Sequence, residues 1–493
     1  MQRVNPLLAL PFESSLEALG DSYWDVVEAA RFPQVSVRFR NDPLLWHLGV
    51  DPGVVTDADV EAAFGRFQGR SPFLALRYHG HQFGTYNPLL GDGRGFLYGQ
   101  LRDRQGVLQD LGTKGSGTTP WSRGGDGRLT LRGGVRELMA SEALHRLGVT
   151  TCRTLSLIET GEALWRADEP SPTRSAVMVR MMRTHLRFGT LERLHALRDR
   201  QGLERLLRHV VAVYYPAIAE ANPALPGDRR ALQRQVLLFY AELVQRVARL
   251  AAEWMAAGFV HGVLNTDNMS LVGESFDYGP FAFLERWDPA FTAASFDRDG
   301  LYAFGRQPAV CHGNLERLQN VLAVLLPRQA MDEALEPFGS VYRAHYRHCF
   351  LRRLGLDDAV LDGRLTPQTD PVSCSLALLE SWPVAYGDWF AGLVSWVQRV
   401  GLPHEPDALA PFLVGSPSPP REVWLNWRDA WWQSLQHHLQ CERGEQGVMA
   451  ALIRCNLPQP VSRSLIQALW EAIDQRDDWE PLATWLADVR LPG

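Results

Sequence analysis

The sequence predicts an α+β protein of two lobes, a β-rich N-lobe followed by a helical C-lobe, with an N-terminal extension before them and a helical C-terminal region after them. Three observations carry this expectation. Residues 71–132 break into short apolar runs separated by Gly and Asp, the texture of strands and tight turns. After residue 190 the chain takes up helical periodicity and culminates in one long amphipathic segment that ends at Gly258. Beyond about residue 310, apolar periodicity and tryptophans ("SWPVAYGDWFAGLVSWVQRV", "REVWLNWRDAWWQSL") suggest further helices. The expected division is an extension over 1–70, an N-lobe over 71–190, a C-lobe over 191–330 and the helical C-terminal region over 331–493.

Taken in order, residues 1–70 mix short helical patterns with proline-bounded segments, and their role is not legible. "GFLYGQL" (95–101) and "GVLQDLGTK" (106–114) read as strands, with "GDGRG" and "RQG" as turns. "GGVRELMASEALHRLG" (133–148) places Val135, Leu138, Met139 and Leu144 on one helical stripe and stops at Gly148. "TLSLIETGEALWR" and "SAVMVRMM" resume strand character, and "RALQRQVLLFYAELVQRVARLAAEWMAAG" (230–258) is the long helix.

Bulk properties exclude several classes. A net charge of −6 gives no basic footprint for nucleic acid. The six cysteines (152, 311, 349, 374, 441 and 455) form no C-x-x-C pair, which argues against a zinc site or a dense disulfide framework and points to a reducing cytoplasm. The N-terminal apolar stretch is short and interrupted by proline, unlike a signal peptide, and no apolar run approaches a membrane span. With no heptad or interface stripe in view, a monomer is expected.

One residue stands out by composition. Lys114 is the only lysine among 50 basic side chains, the rest being arginine. At a solvated surface the exchange matters little. A buried or ligand-facing ammonium is a compact point charge that a planar guanidinium does not replace. Lys114 is therefore a candidate phosphate ligand. "GTKGSGTT" is not a P-loop, which needs Gly before the lysine and Ser or Thr after it, whereas Thr113 and Gly115 flank Lys114. His79 and His81 could share a strand face, yet no further ligand lies at a metal-site spacing.

Order carries more than any single residue. A lysine in a β-rich lobe, Glu137 on the next helix, a long helix, a loop with Asp and Asn and then "DYG" is the order of parts in a protein kinase, so the two-lobed fold is expected to be protein-kinase-like. His261 and Asn268 are seven positions apart, as in H-R-D-x-x-x-x-N, but the position of the catalytic base holds Val263. An aspartate stands at Asp267 instead, and Asp277 follows nine residues after Asn268. The Asn268 amide oxygen and Asp277 carboxylate are hard ligands suited to Mg²⁺, and Mn²⁺ also accepts oxygen ligands. His261 reads as a loop-packing residue.

The stretches "YHGHQFG", "LLGDGRGFLYGQ", "DLGTKGSGTTPWSRGGDGRLTLRGGVRE", "MMRTHLRFGT", "HGVLNTDNMSLVGESFDYGPF" and "YAFGRQP" resemble, in order, the selenoprotein O (SelO) family of pseudokinase-fold protein adenylyltransferases. The resemblance is strong over about 75–310 and weaker before 70 and after 330. It implies transfer of AMP from ATP, bound in reverse relative to kinases, to Ser, Thr or Tyr hydroxyls of proteins. It implies that Gly91, Gly93, Arg94, Asp126 and Gly127 line the nucleotide, that Lys114 holds phosphate and that Glu137 orients it. By the same resemblance Arg180 and Arg187 clamp phosphate, Asp267 is the proton acceptor, and Asn268 and Asp277 hold the metal. A kinase-like phosphotransferase and a non-catalytic ATP-binding scaffold remain the alternatives. The chain departs from the family pattern at Thr184, Thr190 and His312, where Ser, His and Trp are usual. It also lacks a near-terminal selenocysteine or cysteine, which leaves the ATP site intact but puts redox control through the tail in doubt.

Overall fold

The computed structural model describes residues 3–490 apart from 168, 226, 362–365, 367–368, 414–415 and 442–443. Among these residues, ten strands precede the helical part of the chain: β1 (Trp24–Val27), β2 (Ser36–Arg40), β3 (Phe73–Leu76), β4 (Gly80–Gln82), β5 (Thr85–Asn87), β6 (Leu97–Arg102), β7 (Leu108–Lys114), β8 (Leu129–Thr130), β9 (Arg153–Leu164) and β10 (Thr173–Met182), of which β3–β8 are the runs broken by Gly and Asp. β4 and β5 form a separate hairpin, and the other eight make one antiparallel sheet in the order β1-β3-β6-β7-β10-β9-β2, with β8 paired to β10.

Side-chain alternation along the strands divides two cores. On β10, Ala176, Met178 and Met182 enter the core shared with the helices, while Val177, Val179 and Met181 enter the opposite one. That opposite core is closed by Leu44, Leu45, Val60, Phe64 and Phe67. The first 70 residues thus cover one face of the sheet and supply both its edge strands, β1 and β2, a role that no local pattern in them discloses.

The helix after β8 spans Leu131–Arg146 and begins earlier than its apolar stripe, because the Thr130 hydroxyl accepts from the Gly133 amide (3.0 Å) and caps it. The long helix, Arg229–Ala257, is capped by Asp228, which accepts from the Ala231 amide (2.9 Å), and ends at Gly258 in the left-handed region (φ 69°). Its last turn hands the chain directly to the loop over 261–268. Beyond residue 306 the described chain is helical, with Trp382, Trp389, Trp424, Trp427 and Trp431 in a core of their own. No helix among the described residues is long and apolar enough to cross a membrane.

The C-terminal region closes back on the sheet. Arg490, at the end of the last described helix, reaches Glu142 on the Leu131–Arg146 helix at 2.7 Å, and Arg153 of β9 meets the same carboxylate at 2.8 Å. Burial opposes ionisation of Glu142, and the two guanidiniums overcome it and hold its carboxyl below the usual range. Removing one member of such a buried cluster leaves uncompensated charge. Glu142→Ala is expected to lower the unfolding free energy by about 3 kcal/mol in denaturant titration, whereas Asp478→Ala, at an exposed pair with Arg476, should change it by less than about 0.5 kcal/mol.

Candidate active site

The antiparallel register of β7 and β10 pairs Met178 with Lys114 and Arg180 with Gly112, which puts the Lys114 and Arg180 side chains on the same sheet face. The Leu131–Arg146 helix packs on that face and brings Glu137 to it. The Lys114 ammonium donates to Glu137 and, at 2.6 Å, to Asp277 Oδ1. Arg180 stands 3.4 Å from Asp277 and 3.5 Å from the second Glu137 oxygen. The Lys114 side chain is only 4% exposed, so the sole lysine of the chain is a buried charge held by two carboxylates.

Arg187 completes the cluster. Its guanidinium lies between the rings of Tyr78 (4.3 Å) and Phe276 (4.8 Å). It donates to the Asp267 backbone carbonyl (2.8 Å) and to Asp92 Oδ1 (3.3 Å). Asp277 itself sits at φ 64°, a left-handed conformation costly for a non-glycine residue, and the surrounding cations hold it there. Burial raises the Asp277 pKa, but Lys114, Arg180, Arg187 and Arg94 outweigh it and keep the carboxyl well below its ordinary range.

Thr266–Asn268 form a single 3₁₀ turn, and their neighbours fix it. Thr266 donates to Glu192 (2.7 Å) and accepts from the His81 amide (2.7 Å). Asn265 Oδ1 accepts from the Tyr302 hydroxyl (2.6 Å) and the Phe83 amide (3.2 Å). The β4–β5 hairpin therefore clasps this turn, and Gly80 permits the approach: a Cβ there would stand 2.9 Å from Asp267 Oδ1. Asn268 Nδ2 donates to the Val263 carbonyl (2.8 Å), which orients its amide oxygen away; that oxygen and Asp267 Oδ1 are buried without a partner. Orphaned buried oxygens demand an explanation, and the two are free to accept from, or coordinate, a ligand. The unpartnered Asn268 oxygen and the ionised Asp277 carboxylate are both hard donors of the kind that Mg²⁺ takes.

The two aspartates are driven apart. Burial pushes Asp267 up to about 6, partly offset by Arg187 and reinforced by the charges of Asp277 and Glu192. One carboxyl is thus poised for proton transfer near neutrality, and the other is permanently charged.

These groups open on a cavity of about 550 Å³. Gly91, Gly93, Arg94, Lys114, Asp126, Gly127, Arg180, Arg187, Asp267 and Asp277 line it, while Glu137 stands behind Lys114 and Asn268 beside Asp267. Gly91 is required by Trp121, whose indole would collide with any Cβ there. Asp126 is exposed and pairs with Arg166 (2.9 Å) rather than with the buried cluster. A larger surface groove of about 860 Å³, beside the helix Arg200–Tyr214, includes none of these residues. Sequence reasoning missed Asp92, Trp121, Arg123, Arg128 and Arg166, all on the cavity wall. Asp92 was findable inside "GDGRG"; the arginines carry no signal in so arginine-rich a chain. His79 bonds Tyr86 (2.6 Å) and His81 bonds Glu192 (3.0 Å), so the two serve the hairpin separately. His261 is buried against Trp254 and Tyr278, with Nε2 against the Phe276 carbonyl oxygen (3.0 Å).

A model of the family described as protein adenylyltransferase SelO matches residues 6–490. The chain belongs to the SelO family. It is 50% identical over 490 residues to the protein nucleotidyltransferase YdiU of Gloeobacter violaceus, covering 99% of this chain and 96% of that one. The YdiU of Synechococcus elongatus is 50% identical over 495 residues (100% and 97% covered), and that of Cereibacter sphaeroides (strain ATCC 17029) 38% over 415 residues (81% and 80%). SelO-family likeness thus extends through the sheet edges and the C-terminal helices as well as the cavity.

Two of this SelO-family member's departures have visible roles. Thr190 accepts from the Arg187 amide (3.1 Å) and steadies that arginine, and Thr184 accepts from the Leu186 amide (3.2 Å) on the same segment. His312 packs edge-on against Phe338 (5.3 Å), away from the cavity. Residues 491–493, the end of the tail "DVRLPG", lie outside the described residues.

A folded-state carboxyl pKa of about 6 against an ordinary 3.8 means that the native state binds the extra proton between these values. The stability cost of ionising Asp267 therefore accrues as pH rises from 3.8 to about 6, is complete above 6 and vanishes below 3.8. Asp267→Asn is expected to stabilise the protein by about 2 kcal/mol at pH 7.5, a gain that shrinks towards zero as unfolding is measured nearer pH 4.

Proposed function

We propose that this SelO-family protein moves AMP from ATP, bound with its α-phosphate toward Asp267, onto Ser, Thr or Tyr hydroxyls of proteins, releasing pyrophosphate. The single observation that carries this reading is Asp267: a buried carboxyl with an unpartnered oxygen beside the Lys114–Asp277–Arg187 cluster, in a loop whose kinase base position is Val263. The Lys114–Glu137 pair on the sheet and the Asn268 and Asp277 loops after the long helix support a kinase-like two-lobed arrangement, with nucleotide-binding loops in 71–190 and the catalytic loop in 191–330.

The acceptor hydroxyl oxygen attacks the α-phosphorus in line. Asp267 accepts the hydroxyl proton, the new O–P bond forms, and the bond from the α-phosphorus to the bridging oxygen breaks, so that pyrophosphate carries away the electron pair. Lys114, held by Glu137, and Arg180 and Arg187 neutralise phosphate charge in a site shielded from water, where such interactions are strongest. Gly91 and Gly93, which admit Trp121 against their backbone, form the nucleotide's wall together with Arg94, Asp126 and Gly127. Mg²⁺, with Mn²⁺ as the alternative, would be held by Asn268 and Asp277 and would supply Lewis-acid neutralisation of the phosphates. The absence of a basic footprint and of any C-x-x-C pair supports a cytoplasmic protein that works on proteins rather than nucleic acid or membrane, and the lack of a heptad or interface stripe in the sequence supports a monomer.

With Mg²⁺ and ATP labelled at the α- or γ-phosphate, only α-label should reach protein, and Asp267→Ala should reduce transfer by about 10²–10⁴-fold. Lys114→Arg should be crippled as well, since a guanidinium does not fit between Glu137 and Asp277. Transfer of γ-label alone would make the protein a phosphotransferase, and ATP binding without transfer would make it a scaffold. Because Asp267 must be ionised to accept a proton, the transfer rate should rise with pH through about 6 and then level off.

A further inference from the structure

Transfer to a protein requires that a polypeptide lie against the rim nearest Asp267, so the surface beside the turn Thr266–Asn268 is where an acceptor must be held. Gln82 lines the cavity, and Phe83 follows it at the turn of the β4–β5 hairpin. Its ring is 39% exposed and its backbone is left-handed (φ 48°), an uncommon conformation for an aromatic residue. Strain of this kind persists where neighbours enforce it, and here the Phe83 amide is held by Asn265 Oδ1 and the Tyr302 hydroxyl, both at 3.2 Å. The same Asn265 is two residues from Asp267.

Across from Phe83 stands Phe296, 61% exposed, with the two rings edge to face at 5.8 Å and Phe83 resting on Tyr302 at 4.8 Å. Among the described residues these are the only two phenylalanines with large exposed rings, and they touch each other. Contiguous exposed aromatic surface marks recognition more often than chance packing. The intervening hairpin is rigidly joined to the reaction centre: Gly80 abuts Asp267, the His81 amide bonds Thr266, and Gln82 reaches the cavity wall.

Resting on the proposed transfer of AMP to proteins, we propose that Phe83 and Phe296 form a docking site for the acceptor polypeptide, seating an apolar side chain that flanks the hydroxyl to be modified. The occupant follows from continuity with the transfer site, since a segment whose hydroxyl reaches Asp267 passes over the hairpin that Phe83 tops. The pair acts on acceptor binding and leaves nucleotide binding alone.

The test uses the full chain, Mg²⁺, α-labelled ATP and a library of short peptides with a central Ser, Thr or Tyr and randomised flanks. Wild type is compared with a Phe83→Asn/Phe296→Ser double variant, Asn being chosen because it tolerates the left-handed backbone. Wild type should label peptides enriched roughly tenfold in apolar flanking residues. The variant should bind ATP as wild type does and lose that enrichment. Phe296→Ser alone, which leaves Phe83 and its hydrogen bonds to Asn265 and Tyr302 in place, keeps the test usable if the double variant fails to fold, and it should weaken the preference. Transfer without flank preference, or a preference that survives in the variants, overturns the docking site alone. Absence of α-label from every peptide with wild type overturns the transfer reading and the docking site together. A fall in sedimentation mass from dimer to monomer in the variant would overturn it in favour of a contact between copies of this chain.

Discussion

One ammonium held between two carboxylates organises the molecule. Lys114 meets Glu137 and Asp277 at once, and these three residues come from β7, from the helix packed on the sheet and from a loop beyond the long helix. Ion pairs buried this deeply lose much of their gain to desolvation, so the trio is weak evidence for stability and better evidence for a geometric requirement. Removing Lys114 would leave Glu137 and Asp277 to Arg180 and Arg187 alone, at 3.4–3.9 Å. The sheet therefore has to be braced from behind: residues 7–67 fill its far face, and the last described helix grips the Glu137 helix through Arg490 and Glu142.

From that anchor the chemistry follows by electrostatic separation. Asp277, surrounded by cations, stays charged, while Asp267, with one oxygen unpartnered, is lifted by burial to about 6. Arg187 connects them, stacked between two rings with one nitrogen on the Asp267 carbonyl and another on Asp92. The β4–β5 hairpin clamps the turn that bears Asp267 and so couples the outer rim of the site to its reacting carboxyl.

Much of this was legible in the sequence because it depends on residue identity at fixed spacing. The solitary lysine, the seven-residue interval from His261 to Asn268, the displaced aspartate and the capped long helix each correspond to a position in the site or the fold. Helix and strand starts shifted by a few residues where a side chain outside the periodic pattern, such as Thr130, made the cap. What stayed hidden is nonlocal. β1 and β2 are edge strands only because β3 and β9 are there to pair with, and nothing within residues 1–70 encodes that. Asp92 gains its role only when folding places Arg187 beside it, and the Phe83–Phe296 contact joins residues more than two hundred positions apart.

The orientation of the nucleotide tests the central claim most directly. A crystal structure with Mg²⁺ and an ATP analogue whose α–β bridging oxygen is replaced by methylene should place the α-phosphorus nearest the Asp267 carboxylate, with Lys114, Arg180 and Arg187 on phosphate oxygens. The γ-phosphorus nearest Asp267, with the α-phosphate remote from it, would contradict adenylyl transfer by this site.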